Sequence, residues 1–475
     1  MSAIPLLILF FVVAGISWFI SKSAPNARLI TWTSVLPILI FLGPFIGLGS
    51  TTFHSDWIGP LGINLSFAID GISGVMVLLA LLSLPVVLIT CEFEQMRNGR
   101  RMIGLIMFMM AAMIGAFTTT NGMLFYIFYE VALIPVYFMI LWWSQHPDKS
   151  QITLRFFIYT LLGSLFMLLS LLKLYSHAGT FDMEALVAAG RSLSAYDQAL
   201  VFAGFFIAFA VKIPVFPLHG WQPSTYDSAP TPAVILLAAV MLKMASYGMI
   251  RWAVPSCMEG IEQYGSWAIW LCVISVLYAS FMALAQTRFK MLLAWSSVAH
   301  LGLMTAGILS LNIQGIQGAV FEMLSHAILS AALFYVYHIT VKRVGHDRFK
   351  EMGGIRAVNP LFAFLFFALV MGSVALPLTS GFVGEFLLIV GLYQAGAWYA
   401  ILGGLTVVLG AVYMLRAFQV MMLGKESIKF DPLTTTEKWV LMVCVALVVV
   451  LGVYPELVMT HIGPTVQNLF SVAKG

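Results

Sequence analysis

The sequence predicts an all-α polytopic membrane protein of about fourteen transmembrane helices, and three observations predict it. The 475 residues are 61% hydrophobic and only 9% charged, with a mean hydropathy of +0.97. A soluble domain carries roughly 25% charged residues, so a soluble protein is excluded. The apolar residues fall into fourteen runs, each near the ~20 residues that a bilayer crossing needs. The basic residues follow the alternation of those runs. Seventeen of the 24 Lys and Arg lie in the odd-numbered connections, and only Arg191, Arg251 and Lys474 lie on the other side. Under the positive-inside rule both termini then face away from the cytoplasm.

The spans are expected at about 4–20, 29–48, 71–90, 102–117, 122–143, 152–174, 200–218, 233–252, 267–285, 291–309, 316–341, 361–392, 398–423 and 439–459. No basic residue precedes the run from Ile4 to Ile20, which is also long for the apolar part of a cleavable signal, so it is expected to remain as the first span. The fourth and fifth spans are nearly continuous; they are divided at Thr118–Gly122 because a single helix would overshoot the ~30 Å hydrocarbon core. The stretch 361–392 contains Pro377 and Gly381 and reads as one crossing with a break. The longest connections (50–69, 175–199 and 342–360) are too short to bury a core of their own. The four cysteines form no CxxC pair or metal-ligand spacing, which excludes cysteine-based zinc, haem c and iron–sulfur sites.

Four charges lie deep in spans: Glu130, Lys212, Lys243 and Glu385. At ~2.5–3.5 kcal/mol each, their combined cost is on the order of 10 kcal/mol, so lipid-facing, unpaired placement is excluded. A low-dielectric interior drives carboxylic acids and amines alike toward their neutral forms, and groups so placed can load and release protons near neutral pH. The competing reading is a pair of static ion pairs, Glu130–Lys212 and Lys243–Glu385, although buried pairs stabilise less well than apolar packing. Lys173, near a helix end, is expected to snorkel. Asp70 and Arg416 are read as helix-end or packing charges.

Backbone breaks mark the same places. Lys212 opens Lys212-Ile213-Pro214-Val215-Phe216-Pro217, and Glu385 follows Pro377-Leu378-Thr379-Ser380-Gly381. Prolines free helix carbonyls, and at membrane depth those must be satisfied by protein or water. Broken helices beside ionisable groups in two corresponding halves point to an ion path. The two breaks are 163 residues apart, and Tyr247–Arg251 and Tyr413–Arg416 are separated similarly. Helices 4–8 (101–252) and 9–13 (266–423) then form inverted five-helix repeats, with helices 7 and 12 broken. They are preceded by three helices in 1–100 and followed by a C-terminal helix in 437–475, all within one membrane domain. His300, His326 and His338 lie in the second half. His300 and His326 are candidate proton carriers and His338 a packing residue; Glu322 shares a helix face with His326 at i, i+4.

The segments Phe128–Pro135, Val211–Trp221, Ala229-Pro230-Thr231, Leu242-Lys243, Ser296–His300 and Gly381–Phe386 together resemble the antiporter-like subunits of respiratory complex I, over essentially the whole chain. Within that group Asp70-Gly71-Ile72-Ser73 and Glu385 are similar to the M subunit, the chain 4 type. The resemblance implies a proton-translocating membrane subunit of NADH:quinone oxidoreductase, an enzyme whose redox work lies in other subunits. It implies Glu130 and Lys212 as the charge pair of a first half-channel, Lys243 as central relay, His300 and His326 as conductors, and Glu385 as terminal site. No cofactor is expected in this chain; NADH, FMN, iron–sulfur clusters and quinone would belong to partner subunits, and L-type and N-type antiporter-like subunits would be its neighbours in the bacterial inner membrane. The alternative is a monovalent cation/proton antiporter subunit of the Mrp type, or its counterpart in a membrane-bound hydrogenase. Three departures stand out: Tyr226 replaces a usual His, Leu378 a usual Gly, and Glu322 is an additional acid with no implied role.

Overall fold

The computed structural model describes residues 4–19, 34–39, 41, 51–91, 99–424 and 430–474. The second expected span, 29–48, lies mostly outside the described residues. Helices dominate. The chain runs through α1 (Ile4–Phe19), a β-hairpin of β1 (Thr51–Ile58) and β2 (Ile63–Ile69), then α2 (Gly71–Ile89), α3 (Gly99–Thr118), α4 (Gly122–Val131), α5 (Leu133–Trp143), α6 (Lys149–Ala178), α7 (Met183–Ser192) and α8 (Ala195–Lys212). After a break come α9 (Gln222–Ser228) and a long helical run, α10 (Thr231–Tyr264), interrupted by π-helical turns at Leu237–Met241 and Met249–Ala253. Then follow α11 (Ser266–Leu284), α12 (Phe289–Leu309), α13 (Ile313–Val344), α14 (Pro360–Ser373), α15 (Ser380–Ala395), α16 (Ala397–Met422), α17 (Thr435–Val453) and α18 (Glu456–Lys474). Among the described residues, eleven helical stretches are long and apolar enough to cross a membrane, and α14 and α15 are shorter apolar helices on either side of the expected break. This is an integral membrane protein.

Polar side chains set the helix starts. Asp70 accepts from the amides of Ile72 and Ser73, and Ser73 reciprocates in a capping box that opens α2. Asn121 caps α4 after the break expected at Thr118–Gly122, Asn312 caps α13, and Thr434 with Glu437 boxes α17. The hairpin is the exception to the expected all-α class. Its strands pair from Thr51↔Ile69 to Ile58↔Ile63 with a bulge at Asp56/Ile58. Thr51, Thr52, Phe53 and Ile58 on one side and Ile63, Phe67 and Ile69 on the other are β-branched or aromatic residues suited to a pleated surface. The other unexpected element is α18, an additional helix beyond the last span.

The described residues form two compact units. One comprises Met1–Pro214, Ser228–Ala268 and His461–Gly475; the other comprises Val215–Asp227 and Ile269–Thr460. In each unit the connections meet as alternating crossings require. In the first, the even connections join: Thr120 donates to Ser66, Phe181 to Gly62, Gly122 to Phe181, and Arg191 to the Pro255 carbonyl. Arg251 closes an ion pair on Asp70 at this same end, which fits Asp70 as a helix-end charge. Gly71 donates to Thr465 of α18, and a side chain at Gly71 would strike the His461 carbonyl. In the second unit, the odd connections join: Arg288 bridges Asp227 (2.7 Å) and Asp347 (2.9 Å), Gly354 donates to Leu423, and Arg343 pairs with Glu437. Asn312 and Gly391 join at the other end. Cys91, Cys257, Cys272 and Cys444 are all reduced and buried.

Candidate ion-translocation site

In the first unit, Glu130 stands near the end of α4, where the chain turns at Ala132 before α5. Lys212 is the last residue of α8 and is fully buried. A cation in the last turn of a helix is favoured by the helix dipole. The ammonium donates to the Tyr129 carbonyl at 3.0 Å and lies 3.4 Å above the centroid of the Tyr129 ring. Glu130 therefore does not clamp Lys212 directly; it acts on it electrostatically, with the Ser164 hydroxyl beside the carboxylate. Glu130 Oε1 is buried without a hydrogen-bond partner among the described residues. The structure thus brings the implied first pair together through Tyr129 rather than as a contact ion pair.

Lys243 is also fully buried in the first unit, on a short α-helical stretch between the two π turns of α10. Its ammonium donates to the carbonyl of Ala238, five residues back. A π turn shifts carbonyls out of the α register and exposes one to a side-chain donor. That satisfies a buried amine within its own helix.

The second unit holds a tighter cluster. His300 on α12, Glu322 and His326 on α13 and Glu385 on α15 are all buried. His300 Nδ1 is 3.1 Å from Glu385 Oε1, and the His300 and His326 ring centroids are 5.4 Å apart. One ligand atom each of His300, Glu322 and Glu385 lie within 4.8 Å of one another, a nitrogen–oxygen–oxygen set that could also hold a small cation. These groups line a small cavity together with Ser297 and Ser330. Its ≈ 20 Å³ of space for water centres is enough for about one water molecule. Glu385 Oε2 is buried with no hydrogen-bond partner among the described residues, a costly state for an acceptor unless a proton or water reaches it.

Helix breaks position both sites. In the second, α14 ends at Ser373 and α15 begins at Ser380, so Glu385 lies in the second turn after the break. Ala375 and Leu378 take left-handed backbone conformations, φ +56° and +74°. The position where Leu378 replaces a usual Gly is therefore one whose conformation favours glycine. Ser325 of α13 donates to Ser380 at 2.9 Å, tying the break to the Glu322 helix. Tyr226 is buried against Phe334 and beside Gln222. His338 stacks on Tyr335 with ring centroids 6.3 Å apart.

Sequence reasoning did not find Tyr129, the π turns around Lys243, or the inclusion of Glu322 in the His300–Glu385 cluster. It also counted Lys290 only as a topological charge. Lys290 is buried, donates to the Asp227 carbonyl at 3.0 Å and faces the Tyr337 ring.

Buried ionisable groups beside helix breaks in a polytopic bundle define an ion-translocating membrane protein. The chain belongs to the family described as NADH:quinone oxidoreductase/Mrp antiporter, transmembrane, whose model matches residues 119–410. It is 37% identical over 428 residues to NADH-quinone oxidoreductase subunit M of Rhodobacter capsulatus, covering 87% of this chain and 83% of that one. It is 32% identical to NADH-ubiquinone oxidoreductase chain 4 of Marchantia polymorpha, covering 95% and 94%. A chain of respiratory complex I from Thermus thermophilus, solved with bound NADH, superposes with a TM-score of 0.93 at 28% identity, covering all of both chains.

Proposed function

We propose that this chain is the M-type proton-translocating membrane subunit of an NADH:quinone oxidoreductase. The observation that carries the reading is a set of ionisable groups held inside the helices: Glu130 and the buried Lys212 near the ends of α4 and α8, Lys243 buried between two π turns, and His300, His326 and Glu385 buried around one cavity. A proton reaching Glu130 weakens its hold on the Lys212 charge. The Lys212 proton then becomes easier to release, which is how one charge passes a proton step to the next. In the second unit His300 exchanges a proton with Glu385 across 3.1 Å and with the His326 side through the cavity.

On this reading NADH oxidation, FMN, iron–sulfur clusters and quinone belong to partner subunits, and the chain sits beside L-type and N-type antiporter-like subunits. Its basic connections face the cytoplasm and its termini the outer side of a bacterial inner membrane. The test is NADH-driven proton uptake into inverted vesicles, comparing wild type with Lys243→Ala in a complex shown to assemble. Loss of uptake with assembly intact is the expected result. Unchanged uptake would make these charges structural.

A further inference from the structure

Glu322 is the buried acid to which the family likeness gives no role, and the geometry around it is specific. It lies on α13 one turn before His326, and its carboxylate is within 4.8 Å of both His300 and Glu385. The approach depends on Gly384. A Cβ there would come within 2.3 Å of Glu322 Oε2 and 2.7 Å of Glu322 Cβ, so α15 offers the Glu322 side chain a groove where any other residue would expel it. The same side chain lines the cavity with His300, His326, Ser330 and Glu385. The titratable groups around it include His300 from α12, His326 on its own helix and Glu385 from α15, with Tyr413 of α16 close to Glu385.

We propose that Glu322 is a proton-carrying residue of the second-unit site, and that Glu322 and Glu385 share one proton through His300. Two buried carboxylates this close repel when both are ionised, and like pairs of this kind hold one proton between them. The step balances without a co-reactant. An O–H bond at the Glu322 carboxyl breaks as one nitrogen of His300 gains a proton. His300 Nδ1, 3.1 Å from Glu385 Oε1, then gives up a proton to that oxygen, and the imidazole returns to neutral. A cavity water can bridge the gap on the Glu322 side. Such a site stores a proton as well as passing it.

The inference rests on the proposed function, and its test separates the two. In the intact complex, Glu322→Gln keeps shape and polarity but cannot titrate. NADH-driven proton uptake is expected to fall about tenfold, less than the ~100-fold or more of an obligate acid–base group, because Glu385 remains. The pH profile of uptake should lose one ionisation, and the infrared difference signal of protonated carboxyl groups should diminish. Uptake and pH profile like wild type in Glu322→Gln, with Glu385→Gln inactive, would overturn the shared proton while leaving the subunit's function standing. If neither variant affects uptake, the proposed function itself fails. Should Glu322→Gln not assemble, Glu322→Asp decides: a displaced pH profile supports the proposal and an unchanged one overturns it. A sodium requirement of wild-type uptake that Glu322→Gln abolishes would assign the cluster to a cation and also overturn it.

Discussion

The Lys212 ammonium lies 3.4 Å above the Tyr129 ring and donates to the carbonyl of that same residue. One residue therefore supplies both a π face and a dipole to a buried charge, and it immediately precedes Glu130. Cation–π attraction of this kind contributes ~2 kcal/mol or more when desolvated. Tyr129→Phe keeps ring and carbonyl and is expected to pump nearly as wild type. Tyr129→Leu keeps only the carbonyl and should cut proton uptake severalfold while NADH oxidation by the assembled complex slows in parallel. Equal uptake in the two variants would remove the ring from the mechanism.

Asp70 and Arg251 join the hairpin end of α2 to the second π turn of α10. Burial alone would raise the Asp70 carboxyl, but the Arg251 guanidinium and the Ser73 donors hold it below the usual carboxylate range. A depressed folded value means that the tie stabilises above the unfolded carboxylate value and is lost as pH falls through the folded one. Thermal unfolding of the solubilised protein should thus show a stability step in the acid range, and Asp70→Asn should flatten it.

Leu378 holds φ +74° with 67% of its surface exposed. A left-handed conformation costs an L-residue ~1–2 kcal/mol, whereas glycine adopts it freely at ~0.5–1 kcal/mol of added unfolded-state entropy. Leu378→Gly should leave stability unchanged or raise it by about 0.5–1 kcal/mol, seen as a small upward shift in thermal midpoint. A clear loss would mean that the Leu378 side chain contributes packing not evident at the break.

Arg343 is held on all sides. It donates to both Glu437 oxygens, at 3.0 and 2.6 Å, and to the carbonyls of Asp431 and Pro432. Arg343→Met strands a largely buried carboxylate, and removing one partner of a buried pair costs ~3–5 kcal/mol. Loosening of α17, measured as faster proteolysis at the 424–434 connection, is the expected outcome; Glu437→Gln with Arg343→Met should recover part of it.

How much of this was legible beforehand follows from what each feature depends on. Hydropathy and the alternation of basic residues carried the spans, because a bilayer penalises charge locally and the signal sits in each run. Pro214 and Pro377 carried the breaks for the same reason. The hairpin at 51–69 was not legible as such, since it lies in a connection between spans and is held by added hydrogen bonds from Thr120 and Phe181, which other connections supply. Glu322 and His326 were visible as neighbours at i, i+4, but the third member, Glu385, is brought in by a glycine sixty-two residues from Glu322, and packing at that separation leaves no local trace. The Lys243–Ala238 contact needed a π turn, which a 3.6-residue period does not register.

The four sequestered thiols have a practical corollary. A buried thiol away from cations is chemically inert toward aqueous reagents, and Cys91, Cys257, Cys272 and Cys444 are all of that sort. A single cysteine introduced at an exposed point of a connection, such as Asp56 of the hairpin or Arg348, would be the one reactive handle on this chain. Membrane-impermeant maleimides could then report sidedness in the native background, with no wild-type cysteine removed.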